Sequence, residues 1–273
     1  MITNWDLMEE QTQFYRDHLD IFIEDQFSPI KLTHTQHIIA REFGRSHDMK
    51  VVCSRGYGKT FEIGLCSFGM CSLFPGTIVR VCSGTAQQAA LTMGKIKAIV
   101  DRNKNMQAEL KADGSRTLVK AQKDYGKCTF KNGSVIETHT LESMRGLRAT
   151  IIIVDEALEV DINELNGIVA PILNYRRDLA REYEFKDYQT KMIAITSACE
   201  KNNSFYGEFK RVVKDMGKGV PGAFACALDY RAAIDDGLTD AAFFEKEKAR
   251  MPASVFQMEY GSIFPGATEN SAF

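Results

Sequence analysis

The order of polar and apolar positions divides the chain into helical and extended stretches. Over residues 6–27, Leu7, Phe14, Leu19, Ile21, Phe22 and Ile23 recur among acidic residues at helical spacing. Ser28-Pro29 interrupts this pattern, and Thr33 is suited to cap a second helix over 34–43. A short apolar run at 50–53 then enters a glycine-containing turn. The turn leads into a strongly apolar helix over 60–74, stopped by Pro75-Gly76. The β-branched run 77–82 predicts a strand, and 86–103 a helix. Asn132-Gly133 between two β-prone runs predicts a hairpin over 128–139.

The run 150–155 is continuously apolar up to its last residue, as in a parallel strand buried on both faces. Residues 162–174 predict a helix, 191–196 a second buried strand, 223–228 a further strand, and 240–250 a charged surface helix. Strands alternating with helices predict an α/β fold with a mainly parallel sheet. The polar stretch 202–222 marks the edge of the main domain.

Composition narrows the class. At 273 residues the chain can bury a large core, and 44% hydrophobic with 26% charged residues is ordinary for a soluble globular protein. The net charge of -2 gives no overall attraction to nucleic acid, although it leaves room for a local basic face. The apolar runs at 151–154 and 192–195 are far too short to span a bilayer. Trp5, Asp6, Glu9 and Glu10 stand where a signal peptide would need a basic and then an apolar run, so the chain reads as cytosolic. The seven cysteines include no CxxC pair and sit mostly in apolar runs, as expected of reduced, buried thiols.

Two stretches carry chemistry. Cys53-Ser54-Arg55-Gly56-Tyr57-Gly58-Lys59-Thr60 follows the phosphate-binding pattern G-x-x-x-x-G-K-[ST], with Cys53 replacing the first glycine. Gly56 and Gly58 permit the turned backbone, and the loop N–H groups and helix N-terminus can face phosphates. Lys59 supplies a point charge to the β- and γ-phosphates, and the Thr60 hydroxyl is suited to Mg²⁺. The second stretch, residues 151–156, ends in Asp155-Glu156 at the C-terminal edge of a buried strand, where open α/β sheets bind ligands. Asp155 suits the Mg²⁺ shell, and Glu156 can orient and deprotonate the attacking water. Together they predict hydrolysis of ATP with Mg²⁺.

These residues resemble the large terminase subunits of tailed bacteriophages, which package DNA into capsids. Ser54 to Thr60 matches the loop S-R-x-x-G-K-[ST], with its early arginine. Leu32-Thr33-His34-Thr35-Gln36 is similar to the segment whose glutamine contacts adenine. Phe130-Lys131-Asn132-Gly133-Ser134-Val135-Ile136 and then Arg145-Gly146-Leu147-Arg148 resemble F-x-N-G-S-x-I and R-G-x-R. Thr196-Ser197-Ala198 fits the coupling motif that ends the next strand. The likeness runs from about Leu32 to Ser197 and thins beyond. Residues 251–264 still look like the stretch closing the ATPase domain.

The resemblance implies a P-loop NTPase fold of the RecA-like (ASCE) kind, with a small C-terminal lid-like subdomain. It divides the chain into a helical segment at 1–48, an ATPase core at 49–222, and a lid or linker at 223–273. It implies an arginine finger, Arg145 with Arg148 in reserve, reaching a neighbouring subunit's γ-phosphate. Arg55 would contact that phosphate or brace the loop. Thr196 and Ser197 would link hydrolysis to movement. The implied partners are double-stranded DNA, a homo-oligomeric ring (a pentamer in the family) docked on a portal, and a small terminase subunit. The implied setting is the cytoplasm of an infected bacterium, with transient residence on the procapsid. A terminase also carries a nuclease domain, for which residues up to Phe273 leave no space, so the chain reads as the ATPase half without nuclease activity.

Basic runs suited to gripping DNA are Lys95, Lys97, Arg102 and Lys104, then Arg176 and Arg177, then Lys210, Arg211 and Lys214. Other classes compatible with the residues are a helicase-type ATPase, a nucleotide or small-molecule kinase, and a capsid-associated binding protein with an inactive nucleotide site.

Overall fold

The computed structural model describes residues 4–112, 117–173 and 190–266. The N-terminal pattern folds as two helices, α1 (Asn4–Asp17) and α2 (Leu19–Gln26), rather than one continuous segment. Next comes α3 (His34–Arg45), capped by Thr33 as its sequence predicts. The strand β1 (Asp48–Cys53) leads through the glycine turn into α4 (Lys59–Leu73). There follow β2 (Ile78–Ser83), α5 (Ala86–Val100) and α6 (Lys104–Glu109). After them come β3 (Val119–Ala121), β4 (Gly126–Thr129) and β5 (Val135–Thr140). The strand β6 (Ile151–Asp155) precedes α7 (Ile162–Leu173), and β7 (Lys191–Thr196) precedes α8 (Ser204–Gly217). The chain continues through β8 (Ala223–Leu228), α9 (Tyr230–Asp235), α10 (Ala241–Arg250) and α11 (Ala253–Glu259).

The strands form one sheet in the order β3-β4-β5-β2-β6-β7-β1-β8. Pairing from β5 to β8 in that order is parallel, and the β3–β4 and β4–β5 pairs are antiparallel. The β4–β5 pair is the predicted hairpin, with Gly133 in its turn at φ 85°, and β3 adds a strand that the sequence did not announce. Position 223 begins an edge strand paired to β1, so the segment read as lid first completes the sheet.

Continuous apolar strands arise because both sheet faces are covered. In β6, Ile151 and Ile153 pack into a core shared with α2, α3, α4 and α5. Ile152 and Val154 point the other way, into a core with Leu165 and Ile168 of α7 and Phe205 of α8. Helix α8 was hidden in the sequence because its run of Lys, Gly and Asn resembles a loop. Its Asn203 cap, bonded to Phe205 N–H at 2.9 Å, and buried Phe205 and Val212 make it a helix.

Among the described residues no helix is long and apolar enough to cross a membrane. None of the seven cysteines is in a disulfide; Cys53, Cys66, Cys71, Cys82, Cys128 and Cys199 are buried and Cys226 is half-buried, so the cysteines contribute packing.

Candidate active site

Three neighbouring strand ends build the site. Because β7 lies between β1 and β6, the glycine loop, Thr196-Ser197 and Asp155-Glu156 emerge side by side along one sheet edge. They open onto a cavity of about 860 Å³, lined in part by Lys59, Thr60, Glu156, Glu159, Ser197 and Glu259. That volume is in the range of small-molecule sites.

The loop turns as the pattern requires. Gly56 and Gly58 have φ of 82° and 92°, left-handed values that a side chain disfavours. Cys53, the departure from the general pattern, is a fully buried end to β1. Lys59 is nearly buried, and its Nζ donates to the carbonyls of Cys53 and Ser54 at 3.5 Å each and to Ser197 Oγ at 3.4 Å. The ammonium thus lies across the strand ends, within reach of a phosphate held by the loop.

Strand parity separates the two acids. Asp155 continues the Ile151–Ile153 face and meets α4 and α5. Its Oδ2 accepts from Thr60 Oγ1 at 3.2 Å and from Thr92 Oγ1 at 3.0 Å. Burial, and then the Glu156 charge, raise its pKa, opposed by the two hydroxyls and Lys59. Glu156 leaves the strand with φ 53°, a strained conformation for a residue with a side chain. The turn brings its carboxylate to the opposite side, where Thr196 Oγ1 donates to Oε2 at 3.4 Å. Thr196 Oγ1 also accepts from Leu158 N–H at 3.4 Å, so it holds the acidic turn at both ends.

Thr92 was absent from the sequence reading, since a threonine within an amphipathic helix carries no motif. Gln88 and Glu159 were missed for the same reason. Gln88 Nε2 donates to Glu159 Oε2 at 2.6 Å on the cavity wall.

Arg55 is two-thirds exposed and turned toward α11. Its guanidinium pairs with the Glu259 carboxylate, with Nη2 donating to Oε1 at 3.3 Å, and its N–H donates to Glu259 O at 3.0 Å. The loop is therefore braced by the C-terminal segment.

Gln36 is buried outside the cavity lining. Its side-chain oxygen accepts Thr33 N–H at 3.0 Å as half of a capping box. The neighbouring Thr35 hydroxyl meets the phenol of Tyr57 in the glycine loop.

Arg145 and Arg148 are exposed, and neither lines this cavity. Arg145 Nη2 donates to Glu164 Oε1 at 3.1 Å. Gly146 between them has φ 78°, so the turn needs its glycine.

Of the basic runs, Lys95 lines the cavity and Lys97 pairs with Asp101. Arg211 is held by Asp48, Glu208 and Asp215, which commits it to structure rather than to an open DNA surface. Lys210 lies 4.6 Å from the Tyr206 ring centre. Arg176 and Arg177 lie outside the described residues.

Among the described residues no group of three or more His, Cys, Asp or Glu side chains could hold a metal ion by itself. Mg²⁺ does not need one, since it keeps several waters and takes one or two carboxylates together with substrate phosphates. Asp155 with the Thr60 hydroxyl beside it fits that donor set.

A mainly parallel sheet, a glycine loop at a helix N-terminus and an acidic strand end one strand removed define an α/β P-loop NTPase fold. Among solved structures the chain is similar to the ATPase domain of the large terminase of Thermus phage P74-26. That match has a TM-score of 0.59 and 16% identity, over 86% of this chain and 94% of that one. It is also similar to the large terminase of bacteriophage HK97, with a TM-score of 0.68 and 14% identity over 91% of this chain and 55% of that. The large terminase of thermophilic bacteriophage D6E, solved in complex with ADP, matches with a TM-score of 0.58 and 12% identity, over 86% and 54% respectively. The fold is that of the ATPase domain of phage large terminases, and the chain spans about half the length of the HK97 and D6E proteins. No protein-family model matches the chain, and no curated protein sequence does.

Proposed function

We propose that this chain is the ATP-hydrolysing motor domain of a DNA-packaging terminase, coupling hydrolysis to translocation of double-stranded DNA into a procapsid. The observation that carries the reading is the Thr60–Asp155 hydrogen bond at 3.2 Å, which joins the glycine loop to the acidic strand end beside a nucleotide-sized cavity. That the D6E terminase is solved with ADP and with ATP-γ-S supports a nucleotide as the ligand.

The loop N–H groups and the start of α4 bind the phosphates, and Lys59 draws charge from the β,γ-bridge and the γ-phosphate. Gln36 directly follows Thr35, which meets the loop's Tyr57, and its side-chain nitrogen is the group to meet an adenine edge. Thr60 and Asp155 would hold Mg²⁺, which when bound offsets charge on the β- and γ-phosphates. Glu156 orients a water in line with the bridging bond and takes its proton as the water oxygen bonds to the γ-phosphorus. The bond to the bridging oxygen breaks, leaving ADP and inorganic phosphate. Arg145, or Arg148 in its place, stabilises that transfer from an adjacent subunit. Its position outside this chain's own cavity supports action in trans. The hydrogen bonds of Thr196 to Glu156 and of Ser197 to Lys59 are a route by which the strand end responds to the phosphate.

The partners in this reading are a ring of identical subunits, a portal, a small terminase subunit and DNA, in the cytoplasm of an infected bacterium. Avidity within the ring offsets the near-neutral charge of one subunit. The deciding experiment compares Lys59→Ala and Glu156→Gln with the wild type. Lys59→Ala should lose nucleotide binding, and Glu156→Gln should bind ATP without turning it over. Wild-type hydrolysis by both variants would overturn the site. Phosphoryl transfer to a small acceptor, with no stimulation by DNA, would assign a kinase instead.

A further inference from the structure

The glycine loop carries one large side chain that points inward. Tyr57 lies between the two left-handed glycines and is fully buried. Its hydroxyl meets the Thr35 hydroxyl, which in turn meets the Asp236 carboxylate. A carboxylate can only accept, so the bonds run from Tyr57 O–H to Thr35 and from Thr35 O–H to Asp236. Asp236 Oδ2 also accepts from Thr33 Oγ1 at 2.7 Å, and Oδ1 from Thr35 N–H at 3.5 Å. The carboxylate thus sits at the N-terminus of α3, where the helix dipole favours a negative charge.

Asp236 belongs to the C-terminal segment, just after α9. That segment holds the outer half of the loop at further points. Ser54 N–H donates to Leu228 O at 2.9 Å, and Arg55 N–H to Glu259 O at 3.0 Å. Flexible glycines on either side of Tyr57 give the loop no fixed shape of its own. The buried phenol is what pins its middle.

We propose that Asp236 is a positioning residue for nucleotide binding, acting through Thr35 and Tyr57 to hold the phosphate-binding loop in its binding shape. This rests on the reading of 54–60 as that loop. Asp236 touches no phosphate; it fixes the side chain from which the loop hangs. The same chain of bonds lets the C-terminal segment and the start of α3 sense whether the loop is filled.

The test measures affinity for ATP-γ-S by calorimetry in the wild type, Asp236→Asn, Tyr57→Phe and the double variant. Each single change should weaken binding about tenfold, the scale of one buried hydrogen bond. The double variant should be no weaker than the worse single one, because both break the same chain. Asp236→Asn should raise KM for ATP by a similar factor while kcat at saturation stays within about twofold. Thr35→Val should behave like Tyr57→Phe, and Thr35→Ser should restore wild-type affinity.

Wild-type affinity in Asp236→Asn and Tyr57→Phe, or fully additive losses, would overturn the proposal. If Asp236→Asn fails to fold, the Thr35→Val and Thr35→Ser pair decides by the same criterion. Failure of the wild type itself to bind ATP-γ-S would remove the loop assignment rather than the role of Asp236.

Discussion

The Thr92 hydroxyl donates to Asp155 Oδ2 at 3.0 Å, the same oxygen that accepts from Thr60. A helix outside both sequence motifs therefore fixes the rotamer of the acid read as the Mg²⁺ partner. Thr92→Val keeps the shape and removes that bond. The expected result is a roughly tenfold higher Mg²⁺ requirement for ATP turnover, from losing a hydrogen bond to a charged group. Thr92→Ser should behave as the wild type. A Mg²⁺ titration of the ATPase rate checks both, and an unchanged requirement in Thr92→Val would remove Thr92 from the site.

The Arg55–Glu259 pair leads to a second expectation. Exposed ion pairs contribute little to stability, about 0–1 kcal/mol. Glu259→Gln should therefore leave the melting temperature almost unchanged. It should affect binding more, because Glu259 holds the guanidinium against α11. Released, Arg55 can approach the phosphates, and ATP affinity measured by calorimetry should rise several-fold. A loss of affinity would show instead that bracing the loop is the main role of Arg55.

The central strands β6 and β7 and the two acidic positions were legible because burial on both faces writes a continuous apolar run. That run stops where Asp155 must emerge. The glycine loop was legible because left-handed backbone demands glycine at 56 and 58. Other features were silent for the converse reason. Thr92, Gln88, Glu159 and Asp236 act through contacts between segments distant in sequence, and each looks locally like an ordinary surface or helix residue. Helix α8 was obscured because Gly207, its lysines and the asparagines before it look like a loop, although Phe205 and Val212 are buried and Tyr206 and Phe209 pack beside them. The split between α1 and α2 at His18 leaves no proline or glycine to mark it.

The position of Arg145 yields a third prediction. Its guanidinium pairs with Glu164 and lies outside its own chain's cavity lining. Arg145→Ala and Glu156→Ala should each abolish ATPase activity. Mixed under conditions of assembly, the two variants should recover part of it, because some interfaces then combine an intact glutamate with an intact arginine. Activity is measured against mixing ratio, with Arg148→Ala in place of Arg145→Ala as the comparison. Recovery with Arg148→Ala alone would assign the finger to Arg148.

Glu62 provides a test independent of nucleotide. It lies one turn into α4, is 1% exposed, and neither carboxylate oxygen has a hydrogen-bond partner among the described residues. Burial, and then the charge of Asp236, push its pKa well above the ordinary carboxylate range. In the unfolded chain it ionises at an ordinary value of about 4.3. Between that value and its raised folded value, the unfolded state binds fewer protons than the folded state. Stability must then fall as pH rises through this window, by the linkage relation. Any contribution from protonated Glu62 is complete only below the unfolded value. Glu62→Gln carries no titrating proton, so it should lack this part of the slope. Groups common to both proteins cancel in the comparison. Thermal melts of the two from pH 4 to pH 8 should diverge, with the variant gaining relative to the wild type as pH rises. Parallel curves across that range would mean that Glu62 ionises in place, with its charge balanced inside the fold.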